Sequence, residues 1–289
     1  MPDEAPAKGA PGLLVERSQA SPGVLSPLVV CVHGSMDRHT SFSRLRARLA
    51  DDFDVVTYDR RGYSGSRDVL PPAEGIDAHV EDLAAVIESS PARVADVVVG
   101  HSYGGDVALA LAERRPDLVR SLVVFEPPLS WTDMWRDPAV PVGTLPFAAA
   151  TPEASAERFL RRMIGDRRYE RVPFSTRTEL LRDGPALVAE MIAIRVDDPP
   201  FDPARIGQPV IVGCGSLSNE RHLAANAWLA ESLPHAKPRV IDGARHGAHR
   251  SHSREIAGFV HEALELAGGV VGPHIGVPIA RGAPSPGAD

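Results

Sequence analysis

The chain has 289 residues, with 38 acidic side chains against 31 Lys plus Arg and only two cysteines. That length allows one large α/β domain or two small ones, and a core that needs no disulfide or metal staple. The arginines are scattered rather than gathered into a basic stripe, and no apolar run approaches the ~18 residues of a transmembrane helix, so neither nucleic acid nor membrane is expected as a partner.

In chain order, residues 1–12 are rich in Pro, Ala and Gly and lack the basic and apolar regions of a signal peptide. They are predicted to be flexible, and the protein to be cytoplasmic. Residues 13–17 predict a first strand and Leu28–Val32 a buried one, the latter holding Cys31. Ser43–Leu49 predicts a helix, 53–58 a strand and Ile76–Glu88 an amphipathic helix with Val80, Leu83 and Ile87 on one face. The run 94–99 predicts a buried strand, 103–115 an Ala- and Leu-rich helix, and Leu122–Phe125 a short strand. From 127 to 206 the strand signal lapses. Helix-like patches carrying Trp131, Trp135, Phe159 and Met191 are interrupted there by prolines, among them Pro138, Pro141 and Pro146, as in a helical insertion folded over a sheet. Strands are expected again at 209–214, which holds Cys214, and at 239–241, before a closing helix at 254–266. Both cysteines sit in apolar runs and read as buried free thiols, as in a reducing compartment. The tail 268–289 is rich in Gly and Pro and is expected to be flexible. Alternating strands and helices of this kind predict an α/β fold, a mainly parallel sheet with helices on both faces.

The chemistry gathers at three loops. Gly100-His101-Ser102-Tyr103-Gly104 follows a strand and opens a helix, so Ser102 is expected on a sharp, strained turn beside free amide N–H groups. His246, in Gly243-Ala244-Arg245-His246, leaves the last strand and can reach over the C-terminal edge of the sheet, where it would serve as the base that a serine nucleophile requires. His33-Gly34-Ser35 leaves an earlier strand, and the amides of Ser35 and Tyr103 are placed to form an oxyanion hole. His246, His249 and His252 are spaced by three, but no carboxylate or cysteine nearby completes a metal-ligand set, so no metal is expected.

Val32-His33-Gly34-Ser35, the loop from Tyr58 through Asp59, Arg61 and Gly62 to Ser66, the Ser102 turn and the His246 loop together resemble the serine members of the α/β-hydrolase superfamily over about residues 13–266. The resemblance implies a core at 13–126 and 207–267 and a helical cap at 127–206. It implies Ser102 as nucleophile, His246 as base, Ser35 and Tyr103 as oxyanion donors, a small-molecule substrate and no cofactor. The expected activity is cleavage of a carboxylic ester or related acyl bond, such as a lactone or thioester. A carbon–carbon bond hydrolase, a haloperoxidase-like enzyme and a catalytically weak binding scaffold stand as alternatives. The loop 59–66 reads as architecture, with Asp59 and Arg61 paired and Ser64 standing where many members have glycine.

One position departs from the pattern. The superfamily's acid is expected a few residues after the strand 209–214, where this chain has Ser218. Glu126, at the end of the neighbouring strand and before Pro127-Pro128, is the first substitute. Strands lie about 4.8 Å apart, and the extra methylene of glutamate helps to span that step. Glu220 is the second, and an absent acid the third. An apolar lining with few charges is expected over the serine, suited to a small, largely apolar substrate.

Overall fold

The computed structural model describes residues 12–21, 25–135, 148–194 and 198–269. The expected flexible ends 1–11 and 270–289, and Pro138, Pro141 and Pro146, fall outside them. A seven-stranded sheet in the order β1-β3-β2-β4-β5-β6-β7 forms the centre. The strands are β1 (Val15–Ser18), β2 (Leu28–Val32), β3 (Asp54–Tyr58), β4 (Val97–His101), β5 (Leu122–Phe125), β6 (Val210–Gly215) and β7 (Ala236–Ile241). β1 pairs antiparallel with β3, and every other pairing is parallel.

Strands β2 through β6 in the sheet are apolar and buried along their whole length, as a sheet covered on both faces requires. Alternation divides their side chains. Val30, Val32, Val98, Leu122, Val124 and Val212 enter one core with α2 (Ile76–Glu88), α3 (Tyr103–Arg114) and α8 (Glu220–Ser232). Val29, Cys31, Val99, Val123 and Ile211 enter the other, with α1 (Ser43–Leu49) and α10 (Ser253–Leu266). A third cluster joins α4 (Pro152–Ile164), α5 (Asp166–Tyr169), α6 (Phe174–Leu181) and α7 (Gly184–Ala193) to Met36 and Tyr63 of the loops after β2 and β3. Thr151 caps α4 by accepting the Ala154 N–H at 3.2 Å, with Pro152 in the first turn.

Three differences from expectation have local causes. β4 begins at Val97 rather than 94, because Ala95 makes only an isolated bridge to Val119 and pairing with β2 starts at Val29↔Val97. The helix α8 has no strong apolar stripe to announce it; Asn219 starts it, accepting the His222 N–H at 3.0 Å. Asp59 and Arg61 do not pair. Asp59 accepts from the His39 backbone and faces its imidazole at 2.8 Å, while Arg61 reaches the Asp82 carboxylate of α2 at 2.6 and 2.7 Å. The loop is nonetheless built for tension: Ser64 sits at φ 44°, the left-handed region where glycine is the easier residue.

Both cysteines are free and buried. Among the described residues, no helix is long and apolar enough to cross a membrane.

Candidate active site

Register places the key residues side by side. His101 pairs with Phe125, and Phe125 with Gly213, so Ser102 and Glu126 each stand one residue beyond neighbouring strands. The Ser102 N–H donates to Phe125 O at 2.9 Å, and the Glu126 N–H donates to Gly213 O at 3.1 Å. Both turn abruptly: Ser102 has φ 52°, ψ −130° and Glu126 has φ 51°, conformations held only where the surroundings over-determine them. Tight packing of the helix that follows Ser102 supplies part of that constraint. A Cβ on Gly104 would lie 2.2 Å from Val32 O, so α3 starts against β2 only because the position is glycine.

The loop after β2 closes on the serine from the other side. A Cβ on Gly34 would sit 2.8 Å from Ser102 Cβ, which brings the Ser35 backbone next to the turn. The Tyr103 amide is the first of α3 and has no carbonyl behind it within the helix. His33 locks the loop. Its Nε2 accepts the Arg60 N–H at 2.9 Å, so its proton is on Nδ1, which donates to Gly34 O at 2.8 Å; burial, with the nearby Arg60 charge, pushes its pKa down to about 4.

His246 lies between β7 and α9 (Ala248–Ser251) and lines one cavity with Ser35 and Ser102. Its Nδ1–H donates to Glu126 Oε2 at 2.8 Å, which leaves Nε2 as the unprotonated nitrogen. Glu126 is fully buried and accepts on its other oxygen from the Gly215 N–H at 2.8 Å and from the Ser218 hydroxyl. Burial pushes this carboxyl up, but the His246 hydrogen bond and the facing imidazoles more than offset it, leaving the pKa below the usual glutamate value. Glu220 is instead exposed in the first turn of α8. Of the two candidate acids, Glu126 is the one brought to His246.

His222 is the residue that sequence reasoning missed. Its ring stacks on His246 with centroids 4.3 Å apart and planes 17° from parallel. Its Nδ1 is 3.2 Å from Glu126 Oε2 but off the line of a hydrogen bond. Burial, with His246 beside it, lowers its pKa to about 4, so it stays neutral and does not compete for the proton. The signal available was the Asn219 cap, which puts residues 220–222 in a first turn at the C-terminal edge of the sheet. His101 also sits 4.7 Å from His246 ring to ring, and its Nε2–H donates to His246 O at 2.8 Å.

These rings do not make an obvious metal centre. Ligand atoms of Glu126, His222 and His246 lie within 4.8 Å of one another, but His246 Nδ1 and Glu126 Oε2 are already joined by a 2.8 Å hydrogen bond. Asp37, His101 and His249 form a second buried cluster, in which Asp37 is already bound by His249 at 3.2 Å and by Arg250. The triple His246, His249, His252 does not converge: His249 faces Asp37 and His252 faces Ser251.

A second unforeseen group is Glu190 of α7. Buried beneath the helices, it accepts from the Ser35 hydroxyl, from Arg60 Nη1 at 2.7 Å and from the Tyr63 hydroxyl at 3.1 Å. Burial works against the Arg60 charge and Glu190 more than offsets it, so the guanidinium pKa stands above its ordinary value. Arg60 Nε in turn donates to His33 O at 2.8 Å, tying α7 to the loop beside Ser102.

Comparison with known proteins identifies the family. The chain matches the Alpha/beta hydrolase family over residues 29–259. It is 30% identical over 247 residues to a pimeloyl-[acyl-carrier protein] methyl ester esterase of Chromobacterium violaceum, covering 83% of this chain and 94% of that protein. It is 34% identical to a 2-(acetamidomethylene)succinate hydrolase of Mesorhizobium japonicum over only 35% of either chain. Among solved structures, an alpha/beta hydrolase from Sphaerobacter thermophilus superposes with a TM-score of 0.64 at 26% identity, covering 87% of this chain and 99% of that one.

Proposed function

The chain belongs to the alpha/beta hydrolase family and is a hydrolase, and from that premise we propose that it cleaves a carboxylic ester or related acyl bond of a small substrate through an acyl-enzyme on Ser102. The observation that carries this reading is the 2.8 Å contact from His246 Nδ1 to the buried Glu126 carboxylate, beside a serine held at φ 52°. Residues 13–126 and 207–267 are read as the core, and 127–206 as a cap over the serine. The esterase relative from Chromobacterium violaceum, aligned over most of both chains, supports the ester class.

In this mechanism Ser102 Oγ attacks the carbonyl carbon while His246 Nε2 takes its proton. The tetrahedral oxyanion is held by the Ser35 and Tyr103 amides, donors worth about a hundred- to a thousand-fold each in rate. His246, now an imidazolium facing Glu126, passes the proton to the leaving oxygen or sulfur as that bond breaks. Water then gives a proton to His246 and attacks the acyl carbon, releasing the acid and restoring Ser102. Glu126 keeps the imidazole in the working tautomer and balances its charge, the task that Ser218 cannot perform.

The test is labelling with a fluorophosphonate, which reacts only with an activated serine. Wild type is expected to label at Ser102 and to hydrolyse p-nitrophenyl butyrate. Ser102→Ala is expected to lose labelling and about 10⁴-fold or more of turnover. Folded wild-type protein that resists the probe overturns the reading in favour of a binding scaffold.

A further inference from the structure

The cavity over Ser102 is about 190 Å³ and its walls are apolar, with Pro128, Trp135, Phe159 and Met191 among them. The sequence leads one to expect few charges here. Yet two arginines also line it, Arg162 from α4 and Arg221 from the first turn of α8, and no Asp or Glu does among the described residues.

Several observations set these two arginines apart. The whole chain carries a net charge of −7, so a cavity with two cations and no anion runs against the sign of the molecule. Several neighbouring surface arginines are engaged, while others such as Arg167 and Arg168 make no side-chain pair among the described residues but do not line the cavity. Arg161 binds Glu157, Asp166 and Glu170, Arg177 binds Glu170, and Arg182 binds Glu179. Arg162 and Arg221 make no hydrogen bond or ion pair among the described residues, although both are long side chains free to reach one. They come from different layers, one from the helices above the serine and one from the core beside it. The positive end of the α8 dipole adds to the same field at Arg221. Both side chains are exposed at the cavity wall, where two guanidinium groups with no acid beside them favour an anion, and a planar carboxylate matches their donor fork.

We propose that the substrate of this site carries a carboxylate remote from its scissile bond, seated between Arg162 and Arg221 while the intervening carbons lie along the apolar wall. The proposal rests on the hydrolase reading above and deepens it from acyl bonds in general to small acidic esters.

Monomethyl adipate and dimethyl adipate test it, since they share the scissile methyl ester and chain and differ in the far charge. At low ionic strength, kcat/KM is expected to favour the monoester by about tenfold, the scale of one to two partly exposed ion pairs, and the preference is expected to fall as NaCl is added. Arg162→Gln and Arg221→Gln should each shrink the ratio, and the double variant should bring it near unity. Arg→Lys at both positions should keep part of it, which a purely structural role would not predict. A wild-type ratio at or below one, or a ratio unchanged in the double Gln variant, overturns the proposal. Binding of monomethyl adipate is read in parallel by calorimetry on Ser102→Ala protein, with dimethyl adipate as the uncharged comparison. Monomethyl adipate bound no better than the diester removes the anion site even if Ser102 labels with fluorophosphonate. Monomethyl adipate preferred on a protein whose wild type does not label leaves the anion site standing and removes the hydrolase reading.

Discussion

Glu126 does three things at one carboxylate: it fixes the His246 proton on Nδ1, accepts the Gly215 amide, and takes the Ser218 hydroxyl. Its place one residue beyond β5 and its left-handed backbone aim the longer side chain across β6, to where Ser218 stands. Gln at 126 preserves shape but supplies no charge and presents an N–H or a weaker acceptor to His246. Glu126→Gln is therefore expected to lower kcat by about 10³- to 10⁴-fold with the fold retained, measured by steady-state kinetics beside circular dichroism. In that background Ser218→Asp is expected to recover at least about tenfold, because it returns a carboxylate to the same side of the imidazole. Loss confined to Glu220→Gln would remove Glu126 from the mechanism.

At the scale of elements, α7 and the loop after β2 are joined through Glu190, Arg60 and Ser35. Removing one partner of a buried ion pair leaves an uncompensated charge, typically about 3–5 kcal/mol of stability. Glu190→Ala is expected to lose on that order in urea unfolding and to lower kcat more than it raises KM, because the Ser35 amide is no longer tethered. An unfolding free energy within about 0.5 kcal/mol of wild type would show the pair to be dispensable. None of this was legible in the sequence: Glu190 lies in an ordinary apolar helix, and nothing local marks it as the partner of a residue 130 positions away. The placing of Ser102 and His246 on loops at one edge of the sheet was legible, because each follows a local pattern, an apolar run ending in a turn. The pairing of Asp59 and Arg61 was misjudged for the same reason in reverse. Adjacency in sequence suggested a partner, whereas Asp82 on α2 is the one within reach. His222 needed both the cap at Asn219 and the packing of α8 against β6, which only the fold supplies.

Across the whole molecule, buried imidazoles make acid the direction of weakness. His33 and His222 are each pushed down to about 4, chiefly by burial, and His79, His101 and His249 are lowered as well, again with burial as the leading cause. In the unfolded chain these side chains return to about 6.5. Between the two values the unfolded state binds protons that the native state refuses, so stability rises with pH through that window and falls as pH drops from about 6.5 toward 4. Each fully shifted histidine accounts for up to about 3 kcal/mol by the acid end. Glu126 and Asp37 move oppositely in cause but act in the same direction. Their folded pKa values are depressed by facing imidazoles despite burial, so their stabilisation holds above the usual carboxylate value and disappears only as pH falls further, through the lowered one. The urea midpoint is therefore expected to decline already between pH 6.5 and 5, opposed only by buried carboxyls such as Asp106, whose pKa burial raises. His222→Gln removes one of the titrating rings while keeping a polar side chain of similar reach, and is expected to flatten that decline. A midpoint constant from pH 7.5 to 5, in wild type and variant alike, would mean that the buried rings accept protons without leaving the fold.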